Sequence, residues 1–144
     1  MTREAVAMTA VSLFSNIPDK DVLGFGLGPQ FQPQRVSEWL DLKKTDVSRV
    51  AAVSPKSVRY DDAIPVAVRD RLEEIAMTCN LVAQAFDGDA VKTALWFKAK
   101  NPLLGDISPR DMVRLGRFDR LRKFILNAMA ERMAPATTSP HGTR

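Results

Sequence analysis

Residues 65–86 read PVAVRDRLEEIAMTCNLVAQAF. Val68, Leu72, Ile75, Cys79, Val82 and Phe86 recur at spacings of 4, 3, 4, 3 and 4, the signature of an amphipathic α-helix with a single apolar stripe. Pro65 opens this helix, because a residue in the first turn needs no N–H for the intrahelical ladder. The pattern predicts a run of about 20 residues, the clearest element in the chain. Cys79 lies on the stripe, which predicts a buried, inert thiol rather than a reactive one.

Helical signals continue on both sides. Upstream, Val36, Trp39 and Leu40 place apolar groups on one face of a short helix beginning near Pro33. Thr45 is a candidate N-cap for a second short helix, with Val47, Val50 and Ala51 inward and Ser48 and Arg49 outward. Ser54-Pro55 reads as an N-cap followed by Pro at the first helical position, opening a third short helix through Val58 and Tyr60. Downstream, Asp87-Gly88-Asp89 ends the long helix and caps the next, in which Val91, Ala94, Leu95 and Trp96 are expected to face the core. Asn101-Pro102 stops that helix. Ser108-Pro109-Arg110-Asp111 opens another, ended by Gly116. A last helix from about Arg117 to Met133 carries Phe118, Leu121, Ile125, Ala128 and Met129 on one side. Almost nothing alternates with period two, so the expected fold class is all-α.

The 144 residues, 45% hydrophobic and 26% charged, suit one soluble domain or two very small ones, with no need of disulfides or a metal. The lone Cys79 and lone His141 cannot supply an internal disulfide, a zinc cluster or a Cys/His catalytic pair. No apolar run approaches about eighteen residues and no signal-peptide pattern opens the chain, so the cytoplasm is the expected compartment. The carboxylates fall on exposed helix faces rather than converging with a base or nucleophile, so no catalytic residue, metal site or cofactor is expected. Gly24, Gly26 and Gly28 alternate with Phe25 and Leu27, but no Gly-Lys-Ser/Thr or strand–glycine–helix context follows, which argues against a phosphate loop. Residues 1–32 therefore read as a flexible arm, and residues 134–144, rich in Pro, Thr, Ser and Gly, as a mobile tail.

Charge is segregated along the chain. The formal net charge of +4 resolves into +4 over Lys43–Arg59, −5 over Asp61–Asp89 and +6 over Lys92–Lys123, which suggests more than one contact surface. The first basic block fits a helix-turn-helix, with Thr45–Val53 as scaffold and Ser54–Tyr60 as reader. In that reading Lys56 and Ser57 approach bases, while Lys43, Lys44, Arg49 and Arg59 touch phosphate beside Thr45 at the helix start. An ordinary helical hairpin with solvated cations is the competing account. A single short reader contacts few base pairs, so a homodimer on a palindromic operator is also expected.

The second basic block carries a more specific pattern. Trp96-Phe97 ahead of Asn101-Pro102-Leu103-Leu104-Gly105, then Ser108-Pro109 with Asp111-Met112-Val113 and a closing helix, resembles the toxin-binding domain of the Xre/MbcA/ParS antitoxin family. The resemblance spans about Gln34 to Met133. It departs from the family pattern at Asp106, where a second Gly is usual, and at Ser108, where Thr is common; both changes keep turn and cap chemistry. The resemblance implies an Xre-like DNA-binding domain over 33–88 and a toxin-binding domain over 89–133. It implies an antitoxin of the type II class, whose partner is a toxin, most often a RES-domain protein that breaks down NAD, and which represses its own operon. Trp96, Asn101, Pro102, Leu103, Leu104 and Gly105 are then the toxin-binding candidates, with Arg132 and the tail's Arg144 reaching a cleft built for an anionic dinucleotide. Toxin and antitoxin would form a hetero-oligomer. A stand-alone regulator whose C-terminal helices only dimerise is the alternative.

Overall fold

The structure, a computed structural model, describes residues 21–132. Six α-helices occupy them: α1 Pro33–Trp39, α2 Lys44–Ala51, α3 Val66–Ala85, α4 Ala90–Lys98, α5 Pro109–Arg114 and α6 Phe118–Arg132. Three 3₁₀ turns, at Gly28–Gln30, Pro55–Ser57 and Pro102–Leu104, punctuate them. The fold class is all-α, as expected; the β-type pairing among the described residues is an isolated Asn101–Ile107 bridge.

The long helix α3 is the axis on which α1, α2, α4 and α6 pack. Its stripe is buried as the spacing predicts: Val68, Leu72, Ile75, Cys79 and Val82 lie inside, and Phe86 at the C-cap packs against them. One apolar cluster runs from Phe25 to Ile125 and takes residues from every α-helix. Its aromatic members meet edge-on. Phe25–Trp39, Trp39–Phe97 and Phe97–Trp96 have ring centroids 5.9, 5.4 and 5.1 Å apart at steep angles, a geometry the ring quadrupoles favour.

The described part of the expected N-terminal arm is built into this core. Phe25 and Phe31 are buried. The Asp21 carboxylate accepts from the backbone N–H groups of Phe25 (2.9 Å) and Gly26 (2.7 Å) and from Asn80 Nδ2 (3.2 Å). Asn80 Oδ1 accepts in turn from the Leu23 N–H at 3.0 Å, so the segment is stitched to α3. The glycine alternation has a steric cause. At Gly26 φ is +87°, and a Cβ there would stand 2.1 Å from the Gln30 carbonyl oxygen. Residues 1–20 and the tail 134–144 lie outside the described residues.

Two local expectations change. The N-cap of α2 is Lys43, not Thr45, because Asp46 at the third helical position accepts from the Lys43 N–H at 2.9 Å. Thr45 is exposed, while Ser48, expected outward, is buried with its hydroxyl donating to the Thr45 carbonyl. In α4 the buried face is Thr93 and Phe97, while Val91 and Leu95 are 70% and 63% exposed. Thr93 tolerates burial because its hydroxyl donates to the Asp89 carbonyl at 2.7 Å, and the Phe97 ring, locked against Trp39, sets the rotation of the helix. Two caps read from sequence hold: Asp89 Oδ1 accepts from the Lys92 N–H and the Ser108 hydroxyl from the Asp111 N–H, both at 3.0 Å, whereas Ser54 precedes its turn without a side-chain cap bond.

Candidate functional site

The proposed reader helix over Ser54–Tyr60 does not form. Pro55–Ser57 makes one 3₁₀ turn and Val58 leaves it in an extended conformation, at φ −80° and ψ 112°, with its side chain buried in the core. Two local forces stop helix propagation there. Arg59 turns onto Asp61, with Nε 2.7 Å from Oδ1, and Asp61 also accepts from the Ala63 N–H at 3.0 Å. Pro65 then disfavours a helical Ile64. The Arg59 hydrogen bond and charge hold the Asp61 carboxyl below the usual carboxylate range.

The seven candidate DNA contacts are therefore unequal. Lys43, Lys44 and Lys56 are exposed, with no ion pair among the described residues. Thr45 is exposed, Ser57 is half-buried, and Arg59 is occupied by Asp61. Arg49 is drawn into the interface between α2 and α5. Its guanidinium donates to the Arg114 carbonyl and to Asp46 Oδ1 at 3.4 Å. The Asp46 carboxylate, 8% exposed, also accepts from Arg114 Nε at 3.3 Å.

Two further arginines join the sequence blocks in the same manner. Arg110 donates through Nε to the Leu40 carbonyl at 2.6 Å and through Nη2 to Asp41 Oδ2 at 3.0 Å. Arg71 donates through Nε to the Val50 carbonyl at 2.9 Å and grips both Asp119 oxygens at 2.9 and 3.1 Å, its guanidinium 5.0 Å from the Phe118 ring centre. Each satisfies a carbonyl at a helix C-terminus that the helix itself leaves open. The sequence shows the cations but not these acceptors, which lie 21 to 70 residues away.

The loop at 101–106 is a self-contained turn. Asn101 Oδ1 accepts from the Leu103 N–H at 2.9 Å, and the Asn101 carbonyl accepts from Leu104 and Asp106, each at 2.9 Å. Its own N–H donates to the Ile107 carbonyl at 3.2 Å. Gly105 at φ +80° and Asp106 at φ +63° take the left-handed conformation that closes the turn. Asn101, Pro102 and Gly105 thus shape the loop and Leu104 packs on the core, whereas Leu103 stands 78% exposed.

Trp96 is half-buried and lines an apolar groove with Val82, Phe86, Phe124, Ala128 and Met129. Arg132 is the last residue of α6 and its side chain lies outside the described region, as does Arg144. Val91 and Leu95 are exposed rather than inward as expected, because periodicity alone does not separate their face from that of Thr93 and Phe97. Cys79 is buried, and desolvation pushes its thiol far above the ordinary range, which leaves it without nucleophilic character.

No family model and no curated protein matches the chain. Among solved structures, a chain of the crystal structure of the M. tuberculosis MbcT–MbcA toxin–antitoxin complex is 29% identical, over 72% of this chain and 95% of that one, with a TM-score of 0.42. The superposition is loose.

Proposed function

We propose that this chain is an antitoxin, which neutralises a cognate toxin by binding and performs no chemistry of its own. The observation that carries the reading is Leu103: a large apolar side chain, 78% exposed, on a turn whose polar groups are satisfied internally. A large apolar side chain held out on such a turn gains by being covered in a partner's apolar pocket. The φ of +63° at Asp106 supports the resemblance independently, because the family pattern has glycine there, the residue that adopts this conformation without strain. A RES-domain enzyme that degrades NAD is the toxin we assign, and Arg132 and Arg144 are the side chains we assign to its anionic-ligand cleft.

The test is co-expression with the protein encoded by the adjacent gene, scoring growth and cellular NAD. Wild-type chain restores both; Leu103→Asp restores neither, although its melting temperature is unchanged. Full rescue by Leu103→Asp overturns the assignment of the loop. An adjacent protein that is harmless alone moves the reading to the stand-alone regulator.

Operator binding is a second part of the proposal, supported by Lys43, Lys44 and Lys56, which are exposed and unpaired among the described residues. With the reader helix reduced to one turn, these lysines fit phosphate contacts better than base contacts. Two copies on a palindrome remain the geometry proposed for such a weak contact.

A further inference from the structure

We infer that the outer face of α6 is a double-stranded DNA-reading surface. This does not rest on the toxin reading. Helix α5 ends at Arg114, the chain turns through Leu115, Gly116 and Arg117, and α6 starts at Phe118. Gly116 takes φ +79°, and the Arg117 N–H donates to the Met112 carbonyl at 2.8 Å. A three-residue turn containing a left-handed glycine between two packed helices is the connection that helix-turn-helix readers use. The turn abuts α2, since a Cβ at Gly116 would lie 3.2 Å from Arg49 Cγ.

The side chains of α6 divide sharply. Phe118, Leu121 and Ile125 are buried and fix its inner face. Arg120, Lys123 and Asn127 are exposed at positions i, i+3 and i+7, one outward line, with Arg117 and Arg122 exposed at its edges. None of the five side chains makes a hydrogen bond or salt bridge among the described residues, although the Arg122 charge helps to hold the Asp119 carboxyl ionised. The one carboxylate in these first turns, Asp119, has both oxygens on Arg71. Arg117 and Arg120 stand at the first turn of α6, where a cation opposes the helix dipole, and Arg122 and Lys123 follow in the second; a polyanion relieves this concentration of positive charge. The side-chain types also suit base edges: Arg and Lys pair with guanine, and Asn with adenine.

The test uses the purified full chain with a fluorescent duplex of about 40 base pairs from upstream of its own gene, and a shuffled duplex, titrated from low to moderate salt. Wild type is expected to prefer the upstream duplex. The Arg120→Ala/Lys123→Ala variant should bind it at least about tenfold more weakly and lose that preference. Its slope of log affinity against log salt should fall by up to about 2. The residues are exposed, so an unchanged circular-dichroism melt confirms that the variant folds. Four results would overturn the inference: no wild-type binding at low salt, equal binding of both duplexes, an unaltered double variant, or a loss confined to Lys43→Ala/Lys44→Ala/Lys56→Ala. Weakened capture of the adjacent gene's protein with DNA binding intact would reassign the face to a protein partner.

Discussion

Phe25→Ala separates an appended arm from a segment of the core. The ring is 1% exposed and stacks edge-on against Trp39 at 5.9 Å. Transfer of a buried aromatic side chain to water costs about 2–3 kcal/mol. The ring contact adds about 0.5–1.5 kcal/mol, and the cavity left beneath Trp39 brings the total to the ~3–5 kcal/mol typical of buried Phe→Ala changes. For a domain of this size, each kcal/mol lowers the melting temperature by about 2–4 °C, so a fall of about 6–20 °C is expected. Urea unfolding followed by far-UV circular dichroism and by tryptophan fluorescence would read it, with Trp39 as a local reporter. Leu27→Ala, two residues on and 59% exposed, is the internal control and should stay within about 0.5 kcal/mol. A Phe25→Ala loss below about 1 kcal/mol, similar to the control, would refute the packing of residues 21–32 and restore the flexible arm.

Gly26→Ala should destabilise by more than the ~1 kcal/mol of a left-handed alanine, because its Cβ would meet the Gln30 carbonyl; Gly28→Ala, with open space around it, should lose only that backbone cost, and chemical denaturation of the pair compares them. Cys79 should resist a disulfide reagent in native buffer and react fully in denaturant, since its thiol is buried and its ionisation suppressed; rapid native labelling would contradict the packing of α3. The Arg71 hydrogen bonds hold the Asp119 carboxyl below the usual range. Its contribution to stability is therefore present above the unfolded carboxylate value near about 3.9 and is lost as pH falls through the lower folded value. Asp119→Asn should flatten the acid end of a melting-temperature profile by a small amount, because this side chain is 80% exposed and solvent screens the pair. An identical acid profile for both proteins would remove Asp119 from the linkage.

What the sequence determined alone is local. The 4-3-4-3-4 spacing specifies α3 because a helix repeats every 3.6 residues wherever it lies. Asp89 and Ser108 announce helix starts because capping joins residues only a few positions apart. The Asn101–Gly105 pattern is likewise written in short-range turn chemistry. Tertiary structure decided the questions in which two local answers were nearly equal. Rotation of α4 placed Thr93 and Phe97 inside rather than Val91 and Leu95, and only the Trp39 ring across the core breaks that tie. Val58 had the spacing of a reader-helix residue but is pulled straight into the core. The alternating glycines became a core strap because Phe25 found a pocket beside Trp39 and Asp21 found Asn80. Arg49, Arg71, Arg110 and Arg114 are bound by carbonyls and carboxylates far along the chain, partners that no local pattern shows. Spacing along a chain reports which side chains share a face; only packing supplies the partner that determines which face is buried.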